Sequence, residues 1–241
     1  MTSATPASPI ETPVPTRIAP LWHTLLLIAI LLLFALGGAR LQSRSSSGPG
    51  VVAQHPNMVP FYLSTMVLEW ALVFYVWRGT RRRTRLRDLV SGRWNKVSDV
   101  VRDLVIAALF WGVFEGAGWL MHFLLGPDTA KSIAVLLPQG ALEIALWVLV
   151  SATAGFCEEV VFRGYLQRQF HALSRSALLA VLAQAVVFGV SHSYQGGKQV
   201  VIITVLGALF GLLAWWRRSL RPGMITHAWT DIFSGILSSR L

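Results

Sequence analysis

The stretch GFCEEVVFRGYL at residues 155–166 places two carboxylates and an arginine inside a segment that is otherwise apolar. Two further stretches, FGVSH at 188–192 and HAWTD at 227–231, bring histidine and aspartate into similar surroundings. Ionisable groups at membrane depth cost roughly 2.5–3.5 kcal/mol each on insertion scales, so they mark functional sites. The three stretches therefore predict a polar site inside a membrane-embedded bundle.

The composition supports a membrane protein. Of the 241 residues, 54% are hydrophobic and only 13% are charged, which is too apolar for an ordinary soluble domain. Ten Trp and twelve Phe suit the interfacial aromatic belts of a bilayer protein. We predict an all-α, polytopic transmembrane bundle of about seven to eight membrane helices with one amphipathic surface helix, since each span needs roughly 20 apolar residues.

The chain divides into three predicted regions. Residues 1–19 are rich in proline and serine and are expected to be a disordered tail. Residues 20–103 hold the first two spans, a basic loop and the amphipathic helix at 86–103, while residues 104–241 form the core that carries the three stretches. Residues 43–57, rich in Ser, Gly and Pro, are expected to be a loop.

The net charge of +10 is concentrated beside predicted membrane spans. Six arginines follow the second span directly: Arg78, Arg81, Arg82, Arg83, Arg85 and Arg87. This placement indicates a cytoplasmic loop that contacts anionic lipids and argues against nucleic-acid binding. The alternation of basic and non-basic loops predicts a multi-pass inner-membrane protein, bacterial in type, with a cytoplasmic N-terminus. The single Cys157 excludes an intrachain disulfide.

Helix geometry predicts different roles for the two adjacent carboxylates. Glu159 and Arg163 are four residues apart and share a helix face, so Arg163 can neutralise Glu159. Glu158 then points about 100° away and can face a cavity. His227 and Asp231 also share a face, whereas His192 follows an apolar helix that contains Phe188 one turn earlier.

Convergence of these residues depends on how deep each one lies. At ~1.5 Å per residue, Glu158 lies roughly 18 Å from the cytoplasmic end of its helix only if that helix continues to about Phe170. His192 would then be roughly 22 Å deep and His227 only about 8 Å. The site therefore requires a continuous helix through Arg163 and a last helix that is tilted or begins deeper in the membrane.

Several chemistries are compatible with this set of residues. A carboxylate beside a neutral imidazole can activate water, and a second imidazole can stabilise the oxyanion formed during amide hydrolysis. A site for a divalent metal such as zinc, held by Glu158, His192 and His227, is an alternative that these residues leave open. A proton-coupled carrier using Glu158, His192 and Asp231 as a relay is the main alternative, with Glu69, Glu115 and Glu143 as further candidates.

The three motifs resemble those of the CPBP family, the Abi-type or type II CAAX prenyl endopeptidase-like intramembrane proteases. EExxxR matches at 158–163, FxxxH at 188–192 and HxxxD/N at 227–231, in the family's order. The resemblance covers roughly residues 100–240. It implies an all-helical protease whose site lies within the bilayer and whose substrate is a membrane-associated, lipidated or CAAX-like peptide.

By matched position, the resemblance assigns a role to each motif residue. Glu158 would activate water with His192 as its partner, while His227 and Asp231 would stabilise the oxyanion. The supporting residues would be Glu159, Arg163 and Phe188. The family has been described both as metal-dependent and as glutamate-dependent, and we favour no catalytic metal. Asp231 stands where the eukaryotic enzymes have Asn, so it would be protonated, orient His227 or bind a cation. A non-catalytic bacteriocin-immunity or scaffold protein on the same fold is a further alternative.

Overall fold

The chain folds as a bundle of α-helices. A computed structural model describes residues 15–45, 56–126 and 136–238, and no strand occurs within these ranges. The helices are α1 Leu21–Ser45, α2 Val59–Thr80, α3 Leu86–Val90, α4 Val97–Leu125, α5 Ala141–Glu158, α6 Gln167–Ser174, α7 Ala177–Ser191, α8 Gly197–Arg217 and α9 Arg221–Ser238. A π-helical segment, Glu159–Leu166, joins α5 to α6 without a break. The predicted all-α architecture is confirmed.

Five helices in the described residues are long and apolar enough to cross a membrane: 21–40, 59–80, 97–125, 141–174 and 197–217. The shorter α7 is also apolar, and α9 completes the bundle. Large apolar side chains on the outer faces of α1, α4 and α8 are exposed, as expected where lipid replaces water. The protein is therefore a membrane protein, and its described residues form seven helices of 15 residues or more when α5 to α6 are counted as one.

The predicted bounds of the surface helix, residues 86–103, are wrong. Helix α3 ends at Val90, and Val97 already begins the long helix α4. The break falls at Ser91 and Gly92, whose φ angles of 56° and 65° cannot continue an α-helix. A Cβ on Gly92 would lie 2.7 Å from Ser219 Oγ, so glycine allows this turn to contact the start of α9.

Two other expectations at the N-terminal side have different outcomes. Helix α1 continues to Ser45, so the expected loop at 43–57 is wrong for residues 43–45. Residues 46–55 of that loop lie outside the described part of the chain, as do residues 1–14 of the expected tail, and residues 56 and 57 are not helical. Residues 15–20 precede α1 without helical structure. The division into three regions stays a prediction.

Small residues allow close packing of α8 on the site helices. A Cβ on Gly207 would lie 2.8 Å from the Phe188 ring, and one on Gly211 would lie 2.6 Å from Gln184. A Cβ on Gly189 would meet Thr204 Oγ1. Close backbone approach through small residues is the usual way in which membrane helices associate. It brings α8 against the polar side chains of α7 and the π segment.

The segments rich in basic residues meet at one end of the bundle. Arg83 donates to the backbone oxygen of Arg17 at 2.9 Å, and Arg168 donates to that of Leu89 at 3.0 Å. Arg217 pairs with Asp103 at 3.0 Å. We call this end the basic end. It comprises residues 17–19, the 80–97 connection, the end of α6 and residues 217–221.

The last helix begins at the basic end, level with Gly164 rather than with the end of α6. Leu220 donates its backbone N–H to Val90 O at 2.9 Å and is buried. A Cβ on Gly164 would lie 3.2 Å from its side chain, and Gly164 is roughly 15 Å of helix from the end of α6 at Ser174. This offset between the two helices brings His227 level with Glu158.

Candidate active site

The first motif lies on an uninterrupted helix. Helix α5 leads into the π segment at Glu159, and α6 continues to Ser174, beyond the Phe170 that the sequence requires. At the end of the π segment Gln167 N donates to Phe162 O, five residues earlier. π-Helical turns are rare and occur frequently at functional sites, because the extra residue per turn redirects the side chains.

Arg163 and Glu159 form a buried ion pair in the interior. Arg163 Nη1 donates to Glu159 Oε1 at 2.8 Å, and both side chains are almost completely buried. Arg163 Nη2 donates to Gly207 O at 3.1 Å, and its guanidinium lies 4.3 Å from the centre of the Phe188 ring. The pairing predicted from the four-residue spacing is present, with an additional cation–π contact that Phe188 supplies.

His192 faces Glu158 with a defined ring nitrogen. Its Nδ1 lies 2.8 Å from Phe188 O, an oxygen that can only accept, so Nδ1 carries the proton in this contact. Nε2 is then free to accept, and it lies 3.9 Å from Glu158 Oε1. Two acceptors at this distance leave room for a water molecule that donates to both.

His227 lies on the other side of Glu158. Its Nδ1 is 3.3 Å from Glu159 Oε1, and its Nε2 is 3.5 Å from Glu158 Oε2. Asp231 Oδ2 lies 3.7 Å from the same Nε2, and the Asp231 side chain is 35% exposed. The structure thus brings together all four residues that the sequence singled out, and Glu158 lies between two imidazoles.

The site has unused hydrogen-bonding capacity. Glu158 Oε2 and Glu159 Oε2 are buried, and no described residue donates a hydrogen bond to either atom. The Glu158 side chain is 19% exposed, so it is open to a small molecule from outside the protein. Buried polar atoms normally have partners, and unpaired ones at a functional site indicate places where water or substrate binds.

The alternative metal site would draw on the same side chains. Among the described residues, no group of three or more His, Cys, Asp or Glu side chains could hold a metal ion. Glu158, His192 and His227, the ligand set considered from the sequence, do not form such a group. Cys157 is buried in the apolar cluster with Val160 and Val161, which indicates a packing role.

Two residues near the site were underrated or missed by the sequence reasoning. Glu69 on α2 is buried, within electrostatic range of Glu158, His227 and Asp231, and its Oε2 receives no hydrogen bond from any described residue. Its position inside a span was the available signal. Tyr194 lies beside His192, with ring centres 6.0 Å apart and ring planes tilted by 31°, and burial raises its pKa to about 12. No sequence motif marks it.

The other carboxylates considered for a carrier lie elsewhere. Glu143 caps the start of α5, where its Oε2 accepts from Gln139 N at 2.8 Å and its Oε1 from Met58 N at 3.0 Å. Glu115 is exposed on α4. Neither residue extends the site into a path across the bundle.

Comparison with known protein families identifies a match over the site region. A family model described as type II CAAX prenyl endopeptidase Rce1-like matches residues 140–233, a range that contains α5, the π segment, α6 to α8 and most of α9. No curated protein and no solved structure matches the chain. All seven predicted site residues lie within the matched range.

Proposed function

We propose that the protein is an intramembrane endopeptidase that hydrolyses a peptide bond with a Glu158-activated water, because residues 140–233 match the type II CAAX prenyl endopeptidase Rce1-like family model. One observation carries the proposal. Glu158 lies between two imidazoles whose Nε2 atoms are 3.9 Å and 3.5 Å from its two oxygens. A carboxylate flanked in this way is a general base with a partner on each side.

The first step is attack by water. A water molecule between His192 Nε2 and Glu158 Oε1 donates hydrogen bonds to both, so that its oxygen lone pair is directed at the substrate carbonyl. Glu158 takes the proton as the carbon–oxygen bond forms. Phe188 O holds His192 in the tautomer that makes Nε2 the acceptor.

The second step is collapse of the tetrahedral intermediate. His227 Nε2–H donates a hydrogen bond to the oxyanion. Its Nδ1–H remains hydrogen-bonded to Glu159, which the ion pair with Arg163 holds in place. Asp231, 3.7 Å from Nε2, orients the ring and supports its positive charge. Glu158 returns its proton to the leaving nitrogen as the carbon–nitrogen bond breaks, so no covalent enzyme intermediate forms.

The family relationship supports a substrate that is membrane-associated or lipidated, with a CAAX-like terminus. In this proposal the lipid anchor stays in the bilayer while the peptide reaches Glu158, whose side chain is 19% exposed. The basic end is the cytoplasmic end in this proposal, with the N-terminus on the same side and the protein in the bacterial inner membrane. Anionic lipids contact Arg78–Arg87, and no nucleic acid is a partner.

A cleavage assay tests this proposal. Purified protein in detergent is incubated with a prenylated CAAX-type peptide and with the same peptide lacking the lipid, and the products are identified by mass spectrometry. We expect hydrolysis of one peptide bond, faster for the lipidated peptide and unaffected by a strong chelator. Loss of cleavage with chelator would contradict the metal-independent mechanism, and intact peptides throughout would contradict the protease assignment for these substrates.

The proton-coupled carrier is less well supported. The site carboxylates cluster around the His227 ring, with Glu159 at Nδ1 and with Glu158 and Asp231 at Nε2. The two other candidates lie at a helix cap and on an exposed face. A relay needs groups that continue across the membrane. The family match also favours hydrolysis.

A further inference from the structure

A cavity of about 580 Å³ lies at the basic end of the bundle, between α3, α6 and the end of α8. Its lining includes Arg163, Arg168 and Arg218, and no acidic side chain is among the described residues that line it. Glu159 neutralises Arg163, so Arg168 and Arg218 give the cavity a net positive charge. We call it the basic cavity.

One of these arginines is held in place before any ligand binds. Arg168 Nη2 donates to Leu89 O at 3.0 Å and to Ser91 Oγ at 2.9 Å. An ordered guanidinium loses less conformational entropy on binding an anion, and its planar fork matches phosphate or carboxylate oxygens. The basic cavity is therefore preorganised for an anion.

A second cavity strengthens the positive potential nearby. It measures about 600 Å³, shares Val90 and Ser91 with the basic cavity and is lined by three more arginines, Arg87, Arg93 and Arg221, with Asp88 as the one acidic residue among its described lining. Arg221 Nη1 is buried, and no described residue accepts a hydrogen bond from it. The surroundings thus add positive charge rather than cancel it.

The exposed face of α8 leads from the membrane to the basic cavity. Val201, Val205, Leu212 and Trp216 are exposed and follow one another at intervals of four, seven and four residues, which places them on one helix face. Trp215 and Trp216 line the basic cavity and are 46% and 68% exposed. Tryptophans at the end of a membrane helix lie at the headgroup level of the bilayer.

We propose that the basic cavity binds the phosphate of an anionic phospholipid whose acyl chains lie along this face of α8. The apolar face and the two tryptophans favour a lipid over a soluble anion, because they give the ligand a membrane-embedded part to contact. The bound lipid would link α8 to α6, the continuation of the helix that carries Glu158. The proposal does not rest on proteolysis, since lipid binding requires no turnover.

Lipid retention in nanodiscs tests the proposal. Full-length protein is reconstituted with phosphatidylglycerol and phosphatidylcholine in equal amounts, released from the nanodisc, and analysed by native mass spectrometry. We expect preferential retention of phosphatidylglycerol by the wild type and about a fivefold lower affinity in Arg218→Gln, the order expected for one arginine near an anionic surface. Arg168→Gln is a second variant, accepted when its thermal unfolding matches the wild type.

Arg175→Gln is the matched control. Arg175 and Arg218 are both exposed, and both follow a helix end with φ near 50°. We expect Arg175→Gln to retain lipid as the wild type does. Equal retention of the two lipids, or an equal effect of the two substitutions, would overturn the proposal. Displacement of the lipid by inorganic phosphate alone would also overturn it, since the site would then recognise a free anion. A higher KM for peptides with a free carboxylate in Arg218→Gln, with unchanged lipid retention, would assign the cavity to substrate.

Discussion

At the scale of single residues, the site separates a structural ion pair from a reactive carboxylate. Glu159 is completely buried and bonded to Arg163, whereas Glu158, its neighbour in sequence, is partly open and faces His192 and His227. The π segment begins between the two carboxylates. The two adjacent glutamates therefore lie in different environments, because the backbone changes from α-helix to π-helix between them.

Arg163 is predicted to matter for stability as well as activity. Arg163→Met leaves Glu159 as a buried carboxylate without its cation, which costs about 3–5 kcal/mol. Thermal unfolding in detergent should therefore show a strongly lowered Tm. Adding Glu159→Gln to this variant removes the unpaired charge and should restore much of the stability. A double variant no more stable than Arg163→Met would show that the pair is not the stabilising unit.

Glu69 is predicted to lower the stability of the fold and to support cleavage. A buried polar atom without a partner costs about 1–3 kcal/mol, and Glu69 Oε2 is such an atom among the described residues. Glu69→Met keeps the volume and removes the cost, so we expect a Tm higher by several degrees. Cleavage should fall, because the carboxylate lies within electrostatic range of Glu158 and His227. A lower Tm with normal cleavage would make Glu69 a structural residue.

At the scale of helices, the close packing of α5 against α9 determines the geometry of the site. A Cβ on Gly155 would lie 2.8 Å from Met224 O and 2.9 Å from Ala228 N, both backbone atoms that a side chain cannot displace. Gly155→Ala should push the helices apart next to His227 and cost about 1–3 kcal/mol. We expect a lower Tm together with a larger loss of cleavage.

Gly112→Ala provides the control for this substitution. Gly112 lies in α4, and a Cβ there would meet no atom within 4 Å. Alanine is favoured over glycine in a helix by roughly 0.5–1 kcal/mol, so this variant should keep or slightly raise its Tm and cleave normally. Similar behaviour of the two variants would show that contact between α5 and α9 is not what Gly155 provides.

Much of the fold and site could be predicted from the sequence, for identifiable reasons. Apolar runs of the sequence predicted the long helices. Spacings of four residues predicted that Glu159 lies beside Arg163 and that His227 lies beside Asp231. The break at Ser91 and Gly92 was missed because the apolar and charged pattern continues across it, while the turn depends on contact with Ser219. The position of Leu220 beside Gly164 and the approach of Glu69 to the site depend on tertiary packing, which local patterns do not encode.

At the scale of the whole molecule, the basic segments at one end predict the orientation in the membrane. Arg82 lies at this end, whereas Asn57 precedes α2 at the opposite end, and both are exposed. In a Cys157→Ala background, a membrane-impermeant thiol reagent applied to intact bacterial cells should label Asn57→Cys but not Arg82→Cys. The reverse labelling would place the basic end outside, against the positive-inside rule.

The most direct test of the proposed mechanism is the cleavage rate of a lipidated CAAX-type peptide by purified Glu158→Gln, compared with Glu115→Gln. Both substitutions replace a carboxylate on a membrane-spanning helix by its amide, but Glu115 is exposed on α4. Loss of a general base lowers rates by about 10²–10⁴-fold. We predict a loss of this size for Glu158→Gln with unchanged Tm, and a wild-type rate for Glu115→Gln. Cleavage by Glu158→Gln at the wild-type rate would contradict the assignment of Glu158 as the water-activating residue.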